Sequence, residues 1–170
     1  MTISMYAASV PVFARMLKNL HAILDKGQAH AEAKKIAPHV LPGSRLIADM
    51  FPLSKQVQIA TDHAKGLVAR LAGVEVPKYE DNEQTLEELK ARVAKTLAFV
   101  ESFNPEQIDG TEERDIAFKL GSYDLQFTGM EYLIGFALPN FYFHMVTAYN
   151  ILRENGVDIG KRDFLAKESK

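Results

Sequence analysis

The chain contains no cysteine. A disulfide framework and a thiolate metal site are both excluded, and a reducing, cytoplasmic setting is expected. Basic charge is not in excess: 20 Lys and Arg stand against 22 Asp and Glu, for a net charge of -2. The pI is near 6.2. A nucleic-acid surface normally shows a basic stripe, but the dense basic spots here are only Lys34-Lys35 and Lys161-Arg162, so no nucleic-acid partner is expected. The sequence also lacks a Gly-rich phosphate loop, a nucleophile elbow and a His-Glu-x-x-His motif.

No secretory leader is expected either. The opening MTISMYAASVPVFARMLKNL has no basic residue ahead of its mildly apolar stretch, and Arg15 and Lys18 follow it, the wrong order for a signal peptide. One run, residues 132–152, carries no formal charge and is long enough as a helix to cross a bilayer. It contains Pro139, Asn140, His144, Thr147 and Asn150, however, and Asn and His are costly in lipid. The central helix of a soluble bundle is apolar on every face because neighbours cover it. That reading is preferred, with no membrane partner.

What is present is material for one core. Of 170 residues, 47% are apolar, and a chain of this length folds most simply as a single domain, residues 1–170. Four helical stripes stand out. Tyr6, Val10, Phe13, Leu17, Leu20 and Leu24 form the first, and the helix either kinks at Pro11 or starts at Ser9 with Pro11 in its first turn. Gly27 is expected to end it. Residues 29–50 read as a connection with one short helix across AHAEAKK. A second helix follows Pro52, with Val57, Ala60, Ala64, Leu67 and Leu71 on one side and Gly73 as its stop.

After the polar VEVPKYEDNEQ, the stretch TLEE has capping-box spacing, and Leu86, Leu89, Val93, Leu97 and Val100 mark a third helix. The period then changes to two. Ile116, Phe118 and Leu120, then Tyr123, Leu125 and Phe127, alternate with polar residues around Gly121-Ser122, as a type II′ hairpin prefers. A fourth helix is expected over 128–155, stopped by Gly156. The fold class is all-α: four helices as a bundle, with a short β-hairpin before the last.

The fourth helix carries the candidate chemistry. Asn140 and His144 are four apart and share a face with Thr147 and Ile151. Pro139 cannot donate to the carbonyl of Gly135, so a local weakness precedes the pair. His63, at the edge of the second helix's stripe, can meet His144 inside the bundle. Two imidazoles and an amide oxygen would then hold a divalent metal. The structural alternative has His144 bonded to a carbonyl or to the hydroxyl of Tyr123, Tyr132 or Tyr142, and Asn140 bonded to the carbonyl freed by Pro139. His21 reads as partly buried, and His30 and His39 as solvated. Glu87-Glu88 and Glu112-Glu113 read as exposed faces.

The helix order, the hairpin, and the stretches FKLGSYDLQFTG, ALPNFYFH and LRENGVDIGKRDFL resemble the DinB/YfiT-like superfamily of proposed metalloenzymes, in its uncharacterised bacterial branch. The resemblance covers nearly the whole chain. It implies a DinB-like bundle and a divalent metal held by one histidine on the second helix and two, spaced i, i+4, on the last. Some members are similar to thiol-dependent transferases. His63 and His144 match the first and last ligand positions, while Asn140 stands where the other histidine would be. A neutral amide oxygen is a poorer ligand for zinc or nickel than imidazole, so the resemblance implies a weak metal site or none.

Two functions follow. One is a metal-assisted transferase or hydrolase acting on a small molecule in the bundle cavity. The other is a metal-free binding or interaction protein that keeps the fold and a polar pocket. A homodimer is also expected, with Met5, Met16 and Met50 as apolar surplus beyond one core.

Overall fold

The computed structural model describes residues 3–166. Its elements are α1 (Met5–Ala8), α2 (Val10–Lys34), α3 (Val40–Gly43), α4 (Leu53–Ala72), α5 (Leu86–Glu101), α6 (Pro105–Ile108), the hairpin β1 (Ile116–Leu120) and β2 (Tyr123–Phe127), α7 (Gly129–Glu131), a π-helical stretch (Tyr132–Ala137), α8 (Leu138–Glu154) and α9 (Lys161–Leu165). Helix α2 packs chiefly on α5, and α4 on α8 and α5. The expected helical fold, with a hairpin ahead of the last long helix, is what the chain adopts. Among the described residues no helix is long and apolar enough to cross a membrane.

The local signals account for most boundaries. A break at Ser9 separates α1 from α2 and puts Pro11 in the first turn of α2, where its missing N–H costs nothing. Gly73 closes α4 with φ +69°. Thr85 accepts from Glu88 N while the Glu88 carboxylate accepts from Thr85 N, the reciprocal cap that TLEE announced. The hairpin pairs Leu120 with Tyr123 across Gly121, whose φ of +59° is the first-position glycine of a type II′ turn.

Two expectations fail. Gly27 does not end its helix: α2 runs on to Lys34, absorbing AHAEAKK, and Lys35 is the left-handed cap at φ 54°. Gly27 is instead buried where α2, α5 and α8 meet, and a Cβ there would lie 3.1 Å from Leu152. The glycine serves close packing rather than termination. Of the methionines expected as surplus, Met5 and Met16 lie fully inside the core, while Met50 is half-buried outside it.

The last helix departs from the expected single α-helix. Thr128 and Glu131 cap its start, but over Tyr132–Ala137 the backbone widens to π geometry, and Leu138 N donates to Leu133 O, five residues back. The weak point predicted at Gly135 and Pro139 therefore takes the form of an extra residue in the turn ahead of the proline. Such inserts re-aim the side chains that follow them and often sit at functional sites.

Candidate functional site

Helix α4 offers two polar faces. On one, Gln56, His63 and Arg70 are spaced seven apart, so they drift only about 20° per step and form a column. This column faces α8 and the hairpin across a cavity of about 550 Å3 whose lining includes His63, Arg70, Asn140, His144 and Phe118. The three sequence-predicted residues thus share one cavity. The rings of His63 and His144 are 6.0 Å apart between centres and 15° from parallel. His144 does not bond to Asn140 or to any tyrosine.

Its partner is Gln56, a residue the sequence reading passed over. The Gln56 side-chain nitrogen donates to the carbonyl of Phe51 at 3.1 Å. Its oxygen therefore faces His144, and His144 Nδ1 donates to that oxygen at 2.7 Å. The imidazole is fixed in the tautomer that leaves Nε2 with its lone pair. Burial pushes the His144 pKa down. His63 is pushed down to about 4 by burial first, then by His144 and by the charge of Arg70. Both rings are neutral at neutral pH, as ligation or general-base chemistry requires.

Asn140 donates one amide hydrogen to the carbonyl of Phe136 at 2.7 Å. That carbonyl is four residues back on the helix, one beyond the carbonyl of Gly135 that was expected to need it. Among the described residues no group of three His, Cys, Asp or Glu side chains is placed to hold a metal ion. The donor set is two imidazole nitrogens and the amide oxygen of Asn140. A metal bonded at 2.0–2.1 Å lies roughly 3 Å from each ring centre, so centres 6.0 Å apart are at the far end of what one ion can bridge. Rings this far apart and 15° from parallel would have to turn for both nitrogens to reach one ion. The third donor is a neutral oxygen, so the set suits weak binding of a divalent ion at most.

Arg70 completes the cavity. Its Nη1 donates to Tyr132 Oη at 2.8 Å, and its guanidinium lies 4.0 Å over the ring of Phe118. Gly66, one turn earlier, leaves open the space that its Nη1 occupies. Tyr132 is fully buried, and burial raises its pKa against the opposing pull of Arg70.

The other face of α4 meets the segment 74–84. Arg92 of α5, 4% exposed, donates to Thr61 Oγ1 at 2.7 Å, to Asp62 and Glu83 at 3.0 Å each, and to the carbonyl of Glu80 at 3.0 Å. It also pairs with Asp81 at 3.1 Å, and Tyr79 lies beside it at 5.3 Å. Every face of that guanidinium is occupied. The remaining histidines stay outside both clusters: His21 pairs with Asp25 at 3.1 Å, His30 lies beside Gly156, and His39 is exposed. Glu87, Glu88 and Glu113 are exposed as expected, while Glu112 is half-buried.

Comparison with known proteins agrees with this architecture. The family described as "Domain of unknown function (DUF1993)" matches residues 5–165. The crystal structure of a DinB family member protein from Shewanella denitrificans is similar over 97% of this chain and 94% of its own, at 46% identity and a TM-score of 0.85. No curated protein matches the sequence.

Proposed function

The chain belongs to the DUF1993 family and is DinB-like in fold, and from that premise we propose a metal-assisted transferase or hydrolase acting on a small molecule held in the cavity. His63 and His144 would hold the ion through their neutral nitrogens, with the Asn140 oxygen as a third, weaker donor. A bound zinc or nickel ion supplies Lewis acidity, polarising a substrate oxygen or activating a water or thiol. Gln56 holds His144 in the tautomer with Nε2 free, and burial keeps both rings unprotonated. The rings of Phe118, Tyr132 and Phe136, packed 5.6–5.8 Å apart, form an aromatic wall of the cavity.

The observation that supports this reading best is the oriented Gln56–His144 bond facing His63. A purely structural histidine needs a partner for one nitrogen, but not a second imidazole stacked across a cavity. Calorimetric titration of protein purified without a histidine tag tests it. Zinc or nickel should bind weakly, and His144→Ala should abolish uptake. Asn140→His should strengthen it about tenfold or more by restoring a third nitrogen. No gain in Asn140→His would mean that the three positions do not converge on an ion.

A second reading, a metal-free binding protein, is favoured by one observation: the half-buried cation Arg70 shares the cavity and opposes a dication. Elemental analysis of the tag-free protein separates the two.

A further inference from the structure

We propose that the cavity takes a small organic anion, its acid group held by Arg70 and its apolar body by Phe118, Leu120 and Phe136. This deepens the proposed function by naming the substrate class, and it rests on the same cavity.

The argument starts from charge. Four cations border the space. Lys55 is paired with Asp81 at 2.6 Å, Lys65 with Asp62 at 2.9 Å, and Lys119 with Asp124 at 3.4 Å. Among the described residues Arg70 has no carboxylate within ion-pair distance. Of its five donor hydrogens, one is committed to Tyr132 Oη. A half-buried guanidinium is costly to keep without a counter-charge, yet this one is firmly seated. Phe118 lies 4.0 Å beneath it, Tyr132 anchors one nitrogen, and a glycine in mid-helix, some 1 kcal/mol poorer there than alanine, clears its place. The guanidinium is positioned, polarised and left without an anion.

The volume, about 550 Å3, is that of a small-ligand site, and beside its charged and polar residues Phe51, Ile59, Val76, Phe118, Leu120 and Phe136 supply an apolar part of the wall. A planar carboxylate or a phosphate matches the guanidinium fork. A ligand so held would lie against the imidazole pair, since Arg70 and His63 are two turns apart on one face of α4.

The test uses the full chain stripped of metal with a chelator, so that its outcome does not depend on the metal reading. Benzoate and phenyl phosphate are titrated against the neutral isostere benzamide, by calorimetry and by amide and guanidinium nuclear magnetic resonance. The two anions distinguish a carboxylate from a phosphate preference. At least one should bind about tenfold more tightly than benzamide and shift the Arg70 Nε–H resonance. Arg70→Met should reduce the preference to within about twofold, and Gly66→Ala, which places a methyl where Nη1 lies, should weaken it in a folded protein. If Arg70→Met does not fold, Gly66→Ala and the wild-type shift decide. Equal binding of benzamide, no binding of either anion at millimolar concentration, or a preference untouched by Gly66→Ala would each overturn the proposal. Zinc uptake with no anion preference would sink this inference and leave the metal site standing.

Discussion

Arg70 stands on one polar face of α4 and Arg92, from α5, packs against the other, and the protein treats them in opposite ways. Arg92 is buried and saturated: three carboxylates, a hydroxyl and a carbonyl surround it. It ties the segment 74–84 to α4 and α5, in place of regular structure that this polar stretch cannot form. Arg70 is half-buried, with one hydroxyl and the rings of Phe118 and Tyr132. A satisfied polar cluster leaves nothing to bind with, so its role ends in the fold. An unsatisfied one holds free energy in reserve for a ligand. Satisfaction, rather than burial or charge alone, separates the structural cluster from the candidate site.

The largest expected effect is on the saturated side. Arg92→Met removes a buried charge and leaves Asp62, Asp81 and Glu83 facing one another, a loss of about 3–5 kcal/mol. Arg70→Met should cost only about 1–2 kcal/mol, chiefly for the stranded hydroxyl of Tyr132. Urea unfolding of the two variants measures both. Equal losses would erase the contrast and make Arg70 a structural residue.

Acid should separate the clusters next. The folded pKa of His63 is about 4, below its ordinary 6.5. The unfolded chain therefore takes up a proton first, and stability falls as pH drops from about 6.5 toward 4. The loss is on the order of 2–3 kcal/mol from His63, with His144 contributing in the same direction. Asp81 behaves differently. Burial raises its pKa, but the hydrogen bond and charge of Lys55 and the charge of Arg92 outweigh this and hold it below 3.8. Its contribution is complete above that value and is lost only as pH falls further. Thermal melts from pH 7 to 3 should show two steps. His63→Gln should shrink the upper one, leaving the part that His144 contributes, and Asp81→Asn should reduce the lower one. An unchanged upper step in His63→Gln would place the titration elsewhere.

A smaller effect concerns Gln56. Replacing it by Leu frees the His144 ring to rotate and to change tautomer, and outer-shell changes of this kind weaken metal binding about 10–100-fold. Zinc titration of Gln56→Leu would contradict the oriented-ligand reading if affinity were unchanged.

The difference between the two clusters also explains what could be read from the sequence. Signals confined to a few residues were legible: the cap at Thr85, the Gly121 turn, the stop at Gly73. So were His63 and His144, since helical spacing and the family resemblance together place them in one interior. The networks were not, because their partners come from distant segments. Nothing near Arg92 announces Asp62 or Glu83, some thirty and nine residues away. Gly27 was misread for a related reason, since a glycine near a helix end and a glycine at a helix contact look alike until the neighbour is known. One signal was present and unused: the polar column Gln56, His63 and Arg70 at intervals of seven, interrupting an apolar helix.

The smallest expected effect is the sharpest discriminator. Gly66→Ala places a methyl group against Arg70 Nη1, the flexible end of a side chain. The guanidinium can swing away, losing its bond to Tyr132, about 1 kcal/mol, while alanine returns about the same in helix propensity. Net stability should stay within about 1 kcal/mol of wild type, read from the melting temperature. Gly129→Ala is the counter-example, because its Cβ would meet the backbone carbonyl of Thr111, which cannot move without the loop, and it should cost clearly more. If Gly66→Ala proved as damaging as Gly129→Ala, the glycine would serve packing and Arg70 would be held as rigidly as Arg92. A near-neutral Gly66→Ala would instead mean that the glycine's purpose is to seat a cation the fold does not need.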